Sequence, residues 1–271
     1  MPPKPRTYDP AKVRTALAAQ AEALRDAVHA VCADPAAEQL LARPTRLGTW
    51  TVRELIAHLD YVLIWVPERL DDPVPAGAAL SLVEWVAVTR TAAEAIEVGV
   101  QEHAAGAFGG SPAEVAERFD AGVDALLRVL AGSAAAEPGR RIAIRFGPML
   151  LTDFLVTRLV ETVVHADDLA AALGLSDFPH DRQALAAVTR LLADAFADQV
   201  PGGAVELRIP PFAVVQAVPG PRHTRGTPPN VVETDPLTWV RLATGRVGWG
   251  AAAVSASGER SDLAGYLPVM G

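Results

Sequence analysis

Glu161 and His165 stand one helical turn apart in the run RLVETVVHADDLAAALG, inside a stretch otherwise rich in Leu, Val and Ala. In a helix this spacing puts both side chains on one face, about 6 Å apart at Cβ, so that they can reach a single ion. A second run, TVRELIAHLDYVLIWVP, carries His58 among Leu55, Tyr61, Val62 and Trp65, again on an apolar helical face. Two imidazoles and a carboxylate from two helices would leave one position open, and that ligand set commonly holds catalytic zinc together with a water.

Phe154, Arg158, Glu161, His165 and Asp168 share one flank of the later run, whose remaining circumference is mostly Leu and Val. A helix apolar nearly all round is largely buried, where an unpaired charge is costly, so the polar flank must face a partner, a water-filled cleft or a metal. Plain packing offers a competing account. His58 would then be a hydrogen-bonded core histidine, Arg158 an ion-pair partner of Glu161, and Asp167 with Asp168 a solvated helix end. On spacing alone, packing is the stronger account.

The elements that would position these residues are helices. Helical patterns run from about residue 9 to 32, from Thr51 to Trp65, from 80 to 103, from Ser111 to near Gly132, and from after Pro148 to Gly174. Thr51 with Glu54 has the form of a capping box and Pro67 is the expected stop; Ser111 and Pro112 suit a cap and first helical position, and Gly174 suits a C-terminal cap. Five such segments fit a helical bundle with one extra or broken element. One more helix, DRQALAAVTRLLADAFADQV, precedes a shift in composition, since 9 of the 22 prolines and 10 of the 21 glycines fall from Pro201 onward. There AVELRI, FAVVQAV and NVVET read as strands, PLTWVRLATGR as a helix, AAVSASG as a strand and ERSDLAGYL as a last helix. The expected fold class is therefore α+β with two domains, a bundle over 1–176 and a small α/β domain over 177–271.

Composition narrows the function classes. A formal charge of −8 over 271 residues, with no basic stripe, argues against nucleic acid or an anionic membrane as main partner. The start MPPKPRTYDPAKV lacks the apolar core of a secretory signal, and the most apolar run, YVLIWVP, is far too short to span a bilayer, so a cytoplasmic location is expected. Cys32 is the only cysteine, which leaves histidines and carboxylates as the metal ligands. Nothing in the sequence calls for a stable oligomer, and a monomer or weak dimer is expected.

LARPTRLGTWTVRELIAHL resembles the motif that opens the second helix of the mycothiol-dependent maleylpyruvate isomerase family, a branch of the DinB-like four-helix bundles, and RLVETVVHADDLAAALG is similar to that family's second signature. The resemblance implies a metal site of His58, Glu161 and His165 holding Zn²⁺ or another divalent metal, with mycothiol as cosubstrate. The usual Pro-Gly before the tryptophan is Gly48-Thr49 here. The tail, with PLTWVRLATGR and VSASGERSDLAGYL, resembles the sterol-carrier-like domain often fused to these bundles, and Arg246 is the nearest match to an arginine that active relatives use there.

What the resemblance implies is a zinc-dependent thiol transferase or isomerase whose partners are a small-molecule thiol and an electrophile. Asp168 and Tyr61 would support the ligands, and Arg158 could bind a substrate carboxylate. Two alternatives stand beside it: a binding protein for a lipid or sterol-type molecule, and a catalytically silent metal-binding paralogue with a regulatory role. His29, His103, His180 and His223 read as surface or loop histidines, and Trp239 and Trp249 as core or interface aromatics.

Overall fold

A computed structural model describes residues 6–89, 103–104, 106–220 and 228–270. They fall into two compact units, one comprising the described residues of Tyr8–Ser81 and Ala92–Ala184, the other those of Leu185–Gly271 with two short earlier pieces.

The first unit is built on four long helices: α1 (Pro10–Cys32), α3 (Val52–Arg69), α5 (Pro112–Ala131) and α7 (Leu151–Leu173), with short helices α2 (Ala37–Leu41) and α6 (Ser133–Ala136) between them. Helices α1 and α3 each pack against both α5 and α7, so the two pairs lie on the diagonals of a four-helix bundle. Leu17, Leu24, Leu55, Leu59, Phe119 and Leu159 meet in its interior with no exposed surface. Each such side chain contributes roughly 1.5–3 kcal/mol on burial.

Local chemistry sets the helix ends. Asp9 accepts a hydrogen bond from the Lys12 amide at 2.9 Å, and Thr51 and Ser111 form reciprocal capping boxes with Glu54 and Glu114. Gly174 closes α7 at φ 76°, a left-handed conformation that glycine adopts without a Cβ penalty.

The structure departs from the sequence pattern at Pro67 and ahead of α7. Pro67 does not stop α3, which continues to Arg69: one amide donor is lost near the helix end while Val66 and Leu70 on either side are buried, and the packing prevails. Between α6 and α7 the chain forms a hairpin that the sequence pattern does not announce, with β1 (Arg141–Ile144) antiparallel to β2 (Gly147–Leu150). The helix expected over 80–103 is present as α4 (Leu82–Thr89) and again in helical conformation at His103 and Ala104; residues 90–102 lie outside the described residues.

The second unit holds most of α8 (Arg182–Gln199) and carries a mixed sheet of order β4-β3-β5-β6. Strand β3 (Val205–Ile209) pairs antiparallel with β4 (Ala213–Ala217) and parallel with β5 (Val231–Glu233), which pairs antiparallel with β6 (Ser255–Ser257). Val205, Leu207 and Ile209 alternate inward along β3, while Glu206 and Arg208 pair at 2.7 Å on its other face. Helix α9 (Pro236–Ala243) buries Trp239 against Phe196 of α8, ring centroids 5.7 Å apart. The last helix expected from ERSDLAGYL is only a 3₁₀ turn, Ala264–Tyr266: Gly265 and the following Pro268 leave too little chain for an α-helical nucleus. The architecture is α+β, a helical region followed by a small sheet-containing domain. No described helix is long and apolar enough to cross a membrane.

Candidate metal centre

Helices α3 and α7 pack side by side, and their contact brings His58 to Glu161 and His165. One ligand atom from each of the three lies within 4.8 Å of the others. Glu161 Oε2 is 3.6 Å from His58 Nε2 and 3.3 Å from His165 Nε2, and the two imidazole rings meet edge to face at 4.6 Å. His58 is almost wholly buried, with 5% of its side chain exposed, whereas Glu161 and His165 keep 17% and 13%.

The proton inventory of the cluster is incomplete. Asp168 Oδ2 sits 2.9 Å from His165 Nδ1, and a carboxylate can only accept, so Nδ1 carries the hydrogen and the neutral ring turns a lone pair toward Glu161. Without a further proton on that ring, Nε2 and the Glu161 carboxylate face each other at 3.3 Å as two acceptors. Both ring nitrogens of His58 are buried with no hydrogen-bond partner among the described residues. Burial, aided by the neighbouring His165, lowers the His58 pKa to about 4, so the ring is neutral at physiological pH. Burial would raise the Glu161 pKa, but the two imidazoles and the charge of Arg158 hold it well below the usual carboxylate value. Burial likewise opposes a charge on His165, and there Asp168 and Glu161 prevail and raise its pKa. A neutral imidazole, a carboxylate and an imidazole oriented by a second carboxylate fit a divalent ion such as Zn²⁺, which would satisfy the atoms the protein leaves facing one another.

Arg158 makes no close ion pair with Glu161. Its Cζ lies 4.6 Å from the centre of the Phe154 ring and its Nε donates to Thr157 Oγ1 at 3.2 Å, which leaves the terminal guanidinium nitrogens without a partner among the described residues. Tyr61 packs edge-on against Trp65 and near the His103 ring, both at 5.7 Å, and its hydroxyl makes no hydrogen bond among the described residues. Asp167 and Asp168 are not a solvated helix end. Both are buried and bound by Arg46, whose Nη2 lies 2.5 Å from Asp167 and whose Nε lies 2.5 Å from Asp168.

A second polar cluster on α3 was not legible in the sequence. Asp60, fully buried, accepts from His103 Nε2 at 2.8 Å and from Arg118 Nη2 at 3.1 Å. His103 is therefore half-buried in a helical segment and is not a surface or loop residue, because a carboxylate on α3 draws it in. His29 is exposed beside Asp120, His180 lies in the loop before α8 with Gln20 3.2 Å away, and His223 lies outside the described residues. Arg246 belongs to the second unit, where its Nη1 donates to the Thr244 carbonyl at 2.8 Å.

Comparison with known families and structures accords with these features. The family described as mycothiol maleylpyruvate isomerase N-terminal domain matches residues 17–170, more than half of the chain, and the family described as bacterial SCP ortholog matches 181–269. The crystal structure of the mycothiol-dependent maleylpyruvate isomerase is similar with a TM-score of 0.59 at 17% identity, covering 92% of this chain and 93% of that one. A histidine-to-alanine mutant of that isomerase gives 0.58 with the same identity and coverage. At this identity the likeness bears on the fold alone. No curated protein matches the sequence.

Proposed function

Because this chain belongs to the mycothiol maleylpyruvate isomerase N-terminal domain family, a family of thiol-dependent enzymes, we propose that it is a zinc-dependent isomerase or transferase that uses a mycothiol-type thiol to act on a small electrophile. The observation that carries this reading is the convergence of His58, Glu161 and His165 with the His58 nitrogens buried and unpartnered among the described residues.

When bound, Zn²⁺ would supply Lewis acidity, lowering the pKa of a thiol so that the nucleophilic thiolate forms at neutral pH. The chain's residues do the rest. His58 is already neutral and binds without first losing a proton. Asp168 fixes the His165 tautomer by accepting from Nδ1, so that Nε2 is the coordinating atom. Arg158, with its terminal nitrogens available, would bind an anionic group of the substrate, and its position against Phe154 holds the guanidinium plane in place. Tyr61 lines the same face of α3 one turn beyond His58 and offers its hydroxyl. Arg246 is the further arginine proposed to assist, and Arg246→Ala is expected to lower kcat with metal content unchanged.

Elemental analysis of the purified protein tests the reading. About one zinc per chain, followed by mycothiol-dependent turnover of a small electrophile, is the expected result. A protein that takes up no metal when zinc is supplied at neutral pH would overturn it.

A further inference from the structure

The turn between Pro44 and Thr51 reaches both histidines of the candidate centre. It is closed by an isolated bridge between these two residues, by the Thr45 amide and hydroxyl, each donating to the Trp50 carbonyl at 2.8 Å, and by the Trp50 amide donating to Leu47 O at 2.9 Å. Gly48 turns the chain at φ 55°. From this turn the Trp50 ring packs on the His58 ring, centroids 5.2 Å apart, while Arg46 extends to α7.

The Arg46 fork lies against two carboxylates at once, Nη2 at Asp167 and Nε at Asp168, both at 2.5 Å. Asp168 receives Arg46 on Oδ1 and the His165 Nδ1–H on Oδ2, so its two oxygens are used in opposite directions. Two adjacent buried carboxylates repel each other, and a planar guanidinium matches such a pair as a lysine ammonium cannot. We propose that Arg46 is a positioning residue of the metal centre, acting through Asp168 to fix the orientation of His165, and that the Pro44–Thr51 turn braces one histidine on each of two helices. The inference rests on the metal reading above.

The test is zinc affinity, measured by competition with a chromophoric chelator, together with the visible spectrum of the Co²⁺-substituted protein. Arg46→Lys is expected to weaken zinc binding by roughly tenfold to a hundredfold and to alter the cobalt spectrum. Asp168→Asn should do the same, and adding Arg46→Lys to it should cost little more, because both act through one contact. Asp167→Asn, which leaves the Arg46–Asp168–His165 chain in place, should change affinity much less. If Arg46→Lys fails to fold, Arg46→Met with Asp167→Asn removes one charge of each sign and should show the same loss. Unchanged zinc affinity and cobalt spectrum in a folded Arg46 variant overturn the inference while the metal reading stands. A wild-type protein that binds no zinc overturns both.

Discussion

Helix α3 carries two buried polar clusters two residues apart in sequence, and they solve the cost of burial in different ways. Around Asp60, a carboxylate meets two donors, His103 and Arg118, and its charge is matched by a cation. Around His58, a carboxylate meets two imidazoles with Nε2 of each within 3.6 Å of it, and the His58 nitrogens find no partner among the described residues. The first cluster carries its own cation and clamps α3 to α5, although Asp60 Oδ1 and Arg118 Nε find no hydrogen-bond partner among the described residues. The second is complete only with an added positive centre. Burial and unpartnered polar atoms are common to both; what separates them is the guanidinium paired with Asp60, which Glu161 lacks among the described residues.

That contrast can be broken by mutation. His58→Ala, Glu161→Gln and His165→Ala should each abolish zinc binding, read as metal per chain, while the melting temperature of the metal-free protein changes little. Asp60→Ala should do the reverse, lowering the free energy of unfolding in denaturant by about 1–3 kcal/mol while the folded fraction still binds zinc, because His103 and Arg118 would lose their buried acceptor. Zinc loss without destabilisation in Asp60→Ala would mean that the two clusters are one site. Gly122→Ala probes the same clamp sterically: its Cβ would collide with Asp60 Oδ1, and a loss of about 1–3 kcal/mol is expected in the same unfolding assay.

Acidity sharpens the comparison further. His58 is neutral down to about pH 4, whereas the raised pKa of His165 makes it the ligand that a proton contests. Zinc must displace that proton below the raised value, so affinity should fall as pH falls, by about tenfold per pH unit for one proton, and level off above it. A slope of two protons per zinc would show that His58 competes as well. The smallest effect belongs to neither cluster: Thr51→Ala removes the cap of α3 and should cost about 1 kcal/mol in thermal or denaturant unfolding.

The candidate triad was legible because it lies in two local motifs, where the family resemblance rather than spacing alone favoured the metal reading. Glu161 and His165 are one turn apart, and an apolar surround on a helix is visible in any short window of sequence. The capping boxes at Thr51 and Ser111 were legible for the same reason. Arg46, Asp60 and His103 were not, since each takes its role from a partner brought in by the tertiary fold. Asp167 and Asp168 look solvated until Arg46 is placed against them. The β1–β2 hairpin escaped notice because strands of four residues around Arg145-Phe146 carry none of the usual two-residue turn pairs. At the other end, ERSDLAGYL has helical composition but too few residues before Pro268 to sustain more than one turn.

The contact between α3 and α7 joins parts of the chain that are far apart in sequence. An ion shared by His58 and Glu161 would close a loop of roughly 100 residues, and in chain-entropy terms such a cross-link disfavours the unfolded state by about 5 kcal/mol. In a protein whose only cysteine is Cys32, the ion would take the part that a disulfide plays elsewhere. A chelator would then act on this bundle as a reductant acts on a disulfide-bonded domain, by restoring freedom to the open chain.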